Sequence, residues 1–120
     1  MASMRAMTMP SYIHRAQPIF LEPETRNFEL KEVDIARLPI FYGEENEDAM
    51  GFMRAFQQVV FEIPNQGLDD NKLRKRMFPL TLKGASRAWL NGLEPESLRS
   101  WEDVGKAFFD RFSHIQRHAS

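Results

Sequence analysis

The sequence predicts an all-α protein, a compact bundle of four to five short helices preceded by an extended N-terminal arm. After residue 40, apolar residues recur at steps of three and four, and no alternation of apolar and polar residues is sustained. Prolines and glycines separate these segments by short connections, as in helical bundles. Before residue 40, four prolines and the lack of a helical period indicate extended chain. We therefore assign an arm to residues 1–40, a helical domain to 41–116 and a tail to 117–120.

Two segments of the arm have structural character. The stretch "PIFLEP", residues 18–23, favours a short strand or a segment that lies in a groove. Its apolar residues, the candidate contacts of the arm, are Ile19, Phe20 and Leu21. The stretch "NFELKEVDIARLP", residues 27–39, favours one or two helical turns, because Leu30, Val33 and Leu38 fall on one side.

The first long helix is predicted over residues 47–63. Its core-facing residues recur at three- and four-residue steps, and they are Ala49, Phe52, Met53, Phe56, Val60 and Ile63. Asn46 is the predicted N-cap, Glu47 and Asp48 suit the positive end of the helix dipole, and Pro64 forbids continuation.

Two shorter helices follow. The first begins after Asp69 or Asp70 and ends before Pro79. The second is predicted to be capped by Thr81 and to stop at Gly92 in a left-handed conformation. Its predicted buried face consists of Leu82, Ala85, Ala88 and Trp89.

The last helix has the clearest pattern. Ser100 precedes Asp103 by three residues, which is a variant of the capping box. Trp101, Val104, Phe108, Phe112 and Ile115 then share one face. We expect both tryptophans of the chain to be sealed from solvent. The predicted core comprises Phe41, Phe52, Phe56, Leu73, Phe78, Leu82, Trp89, Leu90, Trp101, Phe108 and Phe112.

Composition and motifs argue against most chemistry. The chain has no cysteine, which excludes thiolate nucleophiles and cysteine-based metal sites, and no apolar run approaches the roughly 20 residues that span a bilayer. His114 and His118 have helical metal-ligand spacing, but with only His14 elsewhere they are better explained as cations at the negative end of a helix. Ser86 is interpreted as a helix surface residue, and no nucleophile elbow or phosphate-binding loop is present. We expect neither enzymatic activity nor a cofactor.

Charge is balanced overall, at −1 from 16 basic and 17 acidic residues, but it is uneven along the chain. The basic residues of the 72–87 segment are Lys72, Arg74, Lys75, Arg76, Lys83 and Arg87. Three interpretations stay open: a solvated face, a protein contact or a phosphate contact. The acidic residues that could complement them before the first long helix are Glu44, Glu45, Glu47 and Asp48.

The order of several segments resembles the Gag capsid region of Ty3/gypsy-type LTR retrotransposons, over residues 10–113. The segments are "NFELK", "LPIFYGEENEDAMGFMRAF", "LRKRMFPLTLKGASRAWLNGL" and "SWEDVGKAFFDRF". They match the family's F-x-G element, its proline-broken Trp segment and its Ser-Trp segment. Gly84 and Ser86 depart from the pattern, since the family tends to have charged residues there.

The resemblance implies a structural protein, the N-terminal lobe of a capsid that self-associates into cytoplasmic virus-like particles. The isolated lobe is expected to associate weakly, and RNA packaging is expected of a downstream zinc knuckle. One hypothesis is that the basic 72–87 segment and the acidic 44–48 segment meet between neighbouring copies. The alternative function is a domesticated Gag-derived module that binds a peptide or host protein in a groove between helices.

Overall fold

The computed structural model describes the backbone of residues 17–119 and the side chains of residues 17–113, and this part of the chain is all-α. Its helices are α1 (Glu32–Arg37), α2 (Ala49–Glu62), α3 (Asp70–Met77), α4 (Gly84–Asn91) and α5 (Trp101–Ala119), with 3₁₀ helices at Pro23–Asn27 and Phe78–Thr81. The predictions made for residues 1–16 and for the side chains of His114, Ile115 and His118 lie outside the described residues.

Helix α2 begins two residues later than predicted, and a different residue caps it. The carboxylate of Asp48 accepts a hydrogen bond from the amide of Gly51 at 2.9 Å, so Asp48 is the N-cap and the assignment of Asn46 was wrong. Ile63 follows the last helical residue and is extended, as expected for a residue before Pro64. The side chains predicted to face the core from α2 are buried.

The residue assigned to the first turn of α2, Glu47, instead organises the loop before it. Its carboxylate accepts hydrogen bonds from the amides of Tyr42 at 3.0 Å, Gly43 at 2.6 Å and Glu44 at 2.8 Å. Three backbone donors on one carboxylate fix the conformation of residues 42–44. The loop is therefore a built feature of the fold.

Helices α3 and α4 are joined by the 3₁₀ helix that contains Pro79. Asp69 caps α3 by accepting from the amide of Lys72 at 2.9 Å, which agrees with one of the two predicted caps. A 3₁₀ turn suits this junction because proline has no amide hydrogen to donate and its φ is already fixed. The chain thus turns between α3 and α4 without a long loop.

Helix α4 differs most from its prediction. Thr81 is buried and its hydroxyl donates to the carbonyl of Phe78 at 2.6 Å, so it does not cap the helix. Gly92 is right-handed, with φ of −86°, and ends the helix without a left-handed residue. The exposed side is occupied by Ala85 and Ala88, which were expected to be buried.

The residues that α4 does bury are Ser86 and Leu90. The Oγ of Ser86 lies 2.6 Å from the carbonyl oxygen of Phe41 and 2.8 Å from that of Lys83. Interpreting Ser86 as a surface residue was therefore wrong. Ser86 lies against the backbone of Phe41 in the core, where a charged residue would have to be desolvated.

Helix α5 begins with the predicted capping box. Ser100 Oγ accepts from the amide of Asp103 at 2.9 Å, and the Asp103 carboxylate accepts from the amide of Ser100 at 3.3 Å. Reciprocal bonding of this kind stabilises a helix start by about 1 kcal/mol. The helix then packs against α2 and α3, which also contact one another.

The core is built around Phe108 of α5 and Phe41 of the loop before α2. Their ring centroids are 5.1 Å apart with an edge-to-face geometry, and Phe112 lies 5.2 Å from Phe41. The backbone of Phe41 is also fixed, because its amide donates to Thr81 at 2.9 Å and its carbonyl accepts from Lys83 at 3.1 Å. Edge-to-face pairs of this kind each add about 0.5–1.5 kcal/mol beyond area burial.

Residues 17–40 pack onto the helical domain instead of standing apart from it. Ile19, Phe28 and Leu38 are buried in the same core as the helices. The core therefore extends across residue 40, where the sequence analysis divided the arm from the helical domain. Helix α1 supplies the predicted helical turns, but Val33 is 67% exposed and does not share the buried side with Leu38. The α1 end is held to α2 by an ion pair between Arg37 and Glu62.

Candidate protein-contact surfaces

The basic residues of the 72–87 segment do not form one surface. Lys75 is only 2% exposed, and its ammonium group lies 3.1 Å from the carboxylate of Glu22. The same group donates to the backbone carbonyl of Arg99. A buried and fully engaged ammonium cannot reach a neighbouring molecule, so the prediction of Lys75 as an intermolecular contact was wrong. Reversing its charge would disturb folding before it reported on assembly.

Four of the remaining five basic residues have separate environments, and the fifth, Arg74, lines the groove described below. Lys72 forms an ion pair with Glu24, which raises the pKa of Lys72 and lowers the pKa of Glu24. Partial burial lowers the pKa of Arg76. Arg87 donates to the carbonyl of Pro79, and Lys83 is exposed. Lys72 and Lys75 therefore hold residues 22–24 onto α3.

The candidate contacts of the arm lie in a slot beside residues 96–99. Ile19 forms an isolated parallel bridge with Leu98, in which Phe20 donates to Leu98 at 2.9 Å and Leu98 donates to Pro18 at 3.0 Å. Ile19 is buried, and the guanidinium of Arg99 lies 4.1 Å from the ring centroid of Phe20. Leu21 is partly buried against the core. The "PIFL" stretch thus occupies a slot in its own chain.

The acidic residues before α2 divide into two pairs. Glu47 and Asp48 hold the loop and cap the helix, as described above. Glu44 and Glu45 are exposed, and so is the adjacent Tyr42, at 47%. Glu44, Glu45 and Asp48 are thus the exposed acidic residues of this segment, and Asp48 among them also caps a helix.

The predicted core residues lie together, with one correction. The nine that are not tryptophan are buried: Phe41, Phe52, Phe56, Leu73, Phe78, Leu82, Leu90, Phe108 and Phe112. Trp89 and Trp101 are only partly buried at the edge of this core, so the expectation that both indoles are sealed was wrong. Each still contacts core rings, with Trp89 5.3 Å from Phe112 and Trp101 5.6 Å from Phe78.

A groove of about 530 Å³ lies between α2 and α5, and Arg74 of α3 also lines it. We call it the α2/α5 groove. Its apolar wall comprises Met50, Met53, Phe61 and Phe109, and its cationic groups are Arg54 and Arg74. Phe61 is 79% exposed, the largest exposure among the big apolar side chains of residues 17–113. The sequence analysis did not predict this surface. The available signal was that Met50, Arg54 and Phe61 all lie outside the apolar stripe by which α2 faces the core.

A second cavity, of about 370 Å³, lies beside the slot of the arm. Pro18, Pro79, Arg87 and Leu90 are among its lining residues. It is bounded on one side by residues 17–19, so its shape depends on the arm being in place. This cavity lies at the junction of the arm with α4, and residues 17–19 border both it and the bridge to Leu98.

Residues 17–113 contain no group of three His, Asp or Glu side chains placed to hold a metal ion. The shifted pKa values of Glu24 and Lys72 are explained by their ion pair, and that of Arg76 by burial. Within residues 17–119, no helix has both the length and the apolar character that crossing a bilayer requires.

Comparison with known proteins adds no relative. No family model, no curated protein and no solved structure matches this chain.

Proposed function

We propose that this chain is a structural domain, the capsid N-terminal lobe of a Ty3/gypsy-type Gag protein, which self-associates into virus-like particles. The observation that carries the proposal is the meeting of the Gag-like segments at one residue, Phe41 of the F-x-G element. Its backbone pairs with Thr81 and Lys83 of the proline-broken segment, and its ring contacts Phe108 and Phe112 of the Ser-Trp segment.

This arrangement supports the proposal because it gives the resemblance a physical basis. Residues far apart in the sequence, at positions 41, 81 and 108, have the character that the family pattern gives them and are in contact. The glycine of the F-x-G element also has a local explanation. Gly43 has a φ of +87°, which residues other than glycine adopt only at a cost in free energy.

A shell-forming role suits the remaining surface. A particle needs a rigid unit with several modest contact areas, since weak contacts repeated many times give a stable assembly. The domain supplies rigidity through a core of interlocked phenylalanine rings. It also exposes separate apolar side chains, among them Met50 and Phe61 of α2 and Val33 of α1.

The test is the concentration dependence of self-association. Sedimentation velocity from micromolar to millimolar protein should show a reversible shift from monomer toward larger species, and electron microscopy of concentrated samples should show curved sheets or particles. A chain that remains strictly monomeric over this whole range, in low and in high salt, would contradict the proposal.

A peptide-binding module is the second candidate, and one observation favours it. The slot beside Leu98 already holds the extended "PIFL" segment through backbone hydrogen bonds and the buried Ile19. Such a slot accepts an extended peptide by the same strand-addition pairing. In the variant Ile19→Asp, which weakens the hold of the arm, a synthetic peptide of residues 17–23 should shift the amide resonances of Leu98 and Arg99. Unchanged resonances at peptide saturation would count against this module.

A further inference from the structure

The α2/α5 groove combines an apolar wall with cations that lack acidic partners. None of the four ion pairs found among residues 17–113 involves Arg54 or Arg74. Arg74 donates one hydrogen bond, to Asn71 at 2.7 Å, and its buried Nε has no acceptor. Among the described residues, no acidic side chain lines the groove. An occupant that complements it must bring carboxylates together with at least one apolar or aromatic side chain.

The chain itself carries a segment of this description. Tyr42, Glu44 and Glu45 are exposed next to one another in the loop before α2, and we call this segment the 42–45 loop. Glu47 fixes its backbone through three amides, so the loop loses little conformational freedom on binding. An aromatic side chain beside two carboxylates matches a groove that offers methionine, phenylalanine and two arginines.

We propose that the 42–45 loop of one copy docks in the α2/α5 groove of the next copy. The inference deepens the proposed function and rests on it. Tyr42 enters the apolar part of the groove against Met50 and Phe61, where thioether and ring contacts favour an aromatic side chain. Glu44 and Glu45 lie against Arg54 and Arg74 at its rim. The acidic residues of this contact, Glu44 and Glu45, are the ones predicted from the sequence. Its basic residues are Arg54 and Arg74, and not the 72–87 segment as a whole.

The alternative pairing of two identical grooves is less favourable. In a two-fold arrangement, the arginines of one groove face those of the other, and like charges brought together oppose association. The loop-in-groove contact instead joins two different surfaces. Arranged head to tail, such contacts propagate from copy to copy and produce the rings or open chains that a shell requires, whereas a mutual exchange of loops between two copies closes a dimer.

The size of the contact predicts that it is weak. Burying one tyrosine removes roughly 150–250 Å² from solvent, and two rim ion pairs contribute little once screened by salt. A stable pairwise interface buries about 1,200–2,000 Å² in total. One loop in one groove therefore gives a contact that matters when it is repeated, and added salt should weaken it.

A mixing experiment with two charge-reversed variants of the full chain tests the contact. The double variant Glu44→Lys, Glu45→Lys loses the loop side and keeps the groove. The variant Arg54→Glu loses the groove side and keeps the loop. All three positions are exposed on the surface, so circular dichroism and thermal unfolding should match the wild type. Arg26→Glu, an exposed reversal on the first 3₁₀ helix, is the matched control.

Sedimentation velocity should show that each variant alone associates at least about tenfold more weakly than the wild type. Mixed at equal concentration, the two variants should associate again, because the intact loop of one meets the intact groove of the other, and the reversed loop and reversed groove also carry opposite charges. Arg26→Glu should associate as the wild type does.

The other outcomes are separable. Wild-type association with no effect of the loop variant overturns the loop-in-groove contact and leaves the proposed function standing. Loss of association in Arg54→Glu, with the loop variant associating as the wild type does, points to groove-to-groove pairing and also overturns the contact. A wild-type chain that stays monomeric at every concentration overturns the proposed function and the contact with it.

Discussion

The ammonium group of Lys75 lies 3.1 Å from the carboxylate of Glu22, across 53 residues of sequence, and joins α3 to the N-terminal arm. The lysine is buried, and its second partner is the carbonyl of Arg99. A lysine in the middle of a basic run thus serves as an internal brace between three segments of the chain. Its partners explain why a cation is retained inside an apolar core.

Replacing Lys75 by methionine should destabilise the fold by about 1–3 kcal/mol, because the carbonyl of Arg99 and the carboxylate of Glu22 then lose a buried partner. Methionine keeps most of the length and apolar character of the lysine stem, so the loss reports on the charge. Urea unfolding followed by circular dichroism should show a lower midpoint with an unchanged slope. The matched control is Lys83→Met, which removes an exposed lysine. Equal midpoints for the two variants would contradict the brace.

The long helices after residue 40 were predictable from the periodicity of their apolar residues, but the contact surfaces were not. Regular spacing gave α2 and α5, because a stripe of phenylalanines must face a core. The buried state of Lys75 depends on Glu22 and Arg99, which no local pattern connects to it. A run of charged residues is interpreted as solvent-exposed because most such runs are. Lys75 is an exception, and only the packing of the arm against α3 reveals it.

Errors at the helix starts have a similar cause. Asn46, Asp48 and Thr81 all have side chains that can cap a helix, and the sequence alone does not say which backbone is extended at the right position. The loop held by Glu47 decided the first case, and the 3₁₀ helix decided the second. The α2/α5 groove was not predictable from the apolar stripe of α2, because Phe61 lies outside that stripe and is exposed.

Ser86 provides a test of the contact between α4 and Phe41. Ser86→Ala should destabilise the fold by only about 1 kcal/mol, because the carbonyl of Phe41 keeps its bond from the amide of Lys83. Ser86→Val should cost about 1–3 kcal/mol more, because two methyl groups must enter a fully buried site. Thermal unfolding of both variants measures the difference, and Ala85→Ser on the exposed side is the control. A valine variant as stable as the alanine variant would show that the site has spare room.

The ion pair between Glu24 and Lys72 predicts a specific pH dependence. Lys72 lowers the pKa of Glu24 in the folded state, so the contribution of this carboxylate is present above its unfolded pKa and is lost as the pH falls through the folded one. The pKa of Lys72 is raised, so its contribution is lost only in strong base. The urea midpoints of the wild type and Glu24→Gln should therefore differ near neutral pH and converge in acid. Glu94→Gln, an exposed change without such a partner, should follow the wild type throughout, and a constant offset for Glu24→Gln would rule out the linkage.

A comparison of alanine variants at Gly43 and Gly67 separates backbone strain from steric crowding in the 42–45 loop. Both glycines are left-handed, with φ of +87° and +91°, so alanine at either position bears a strain of about 1–2 kcal/mol. At Gly67 an added methyl group meets nothing within 4 Å, whereas at Gly43 it lies 3.0 Å from both the Phe112 ring and the amide of Ser86. Gly43→Ala should therefore cost about 1–3 kcal/mol more than Gly67→Ala in urea unfolding. Because the crowding displaces the 42–45 loop, Gly43→Ala should also weaken self-association under conditions where it remains folded, and Gly67→Ala should not. Equal losses of stability in the two variants would show that the loop adjusts to the methyl group and that the close packing against Phe112 does not fix its position.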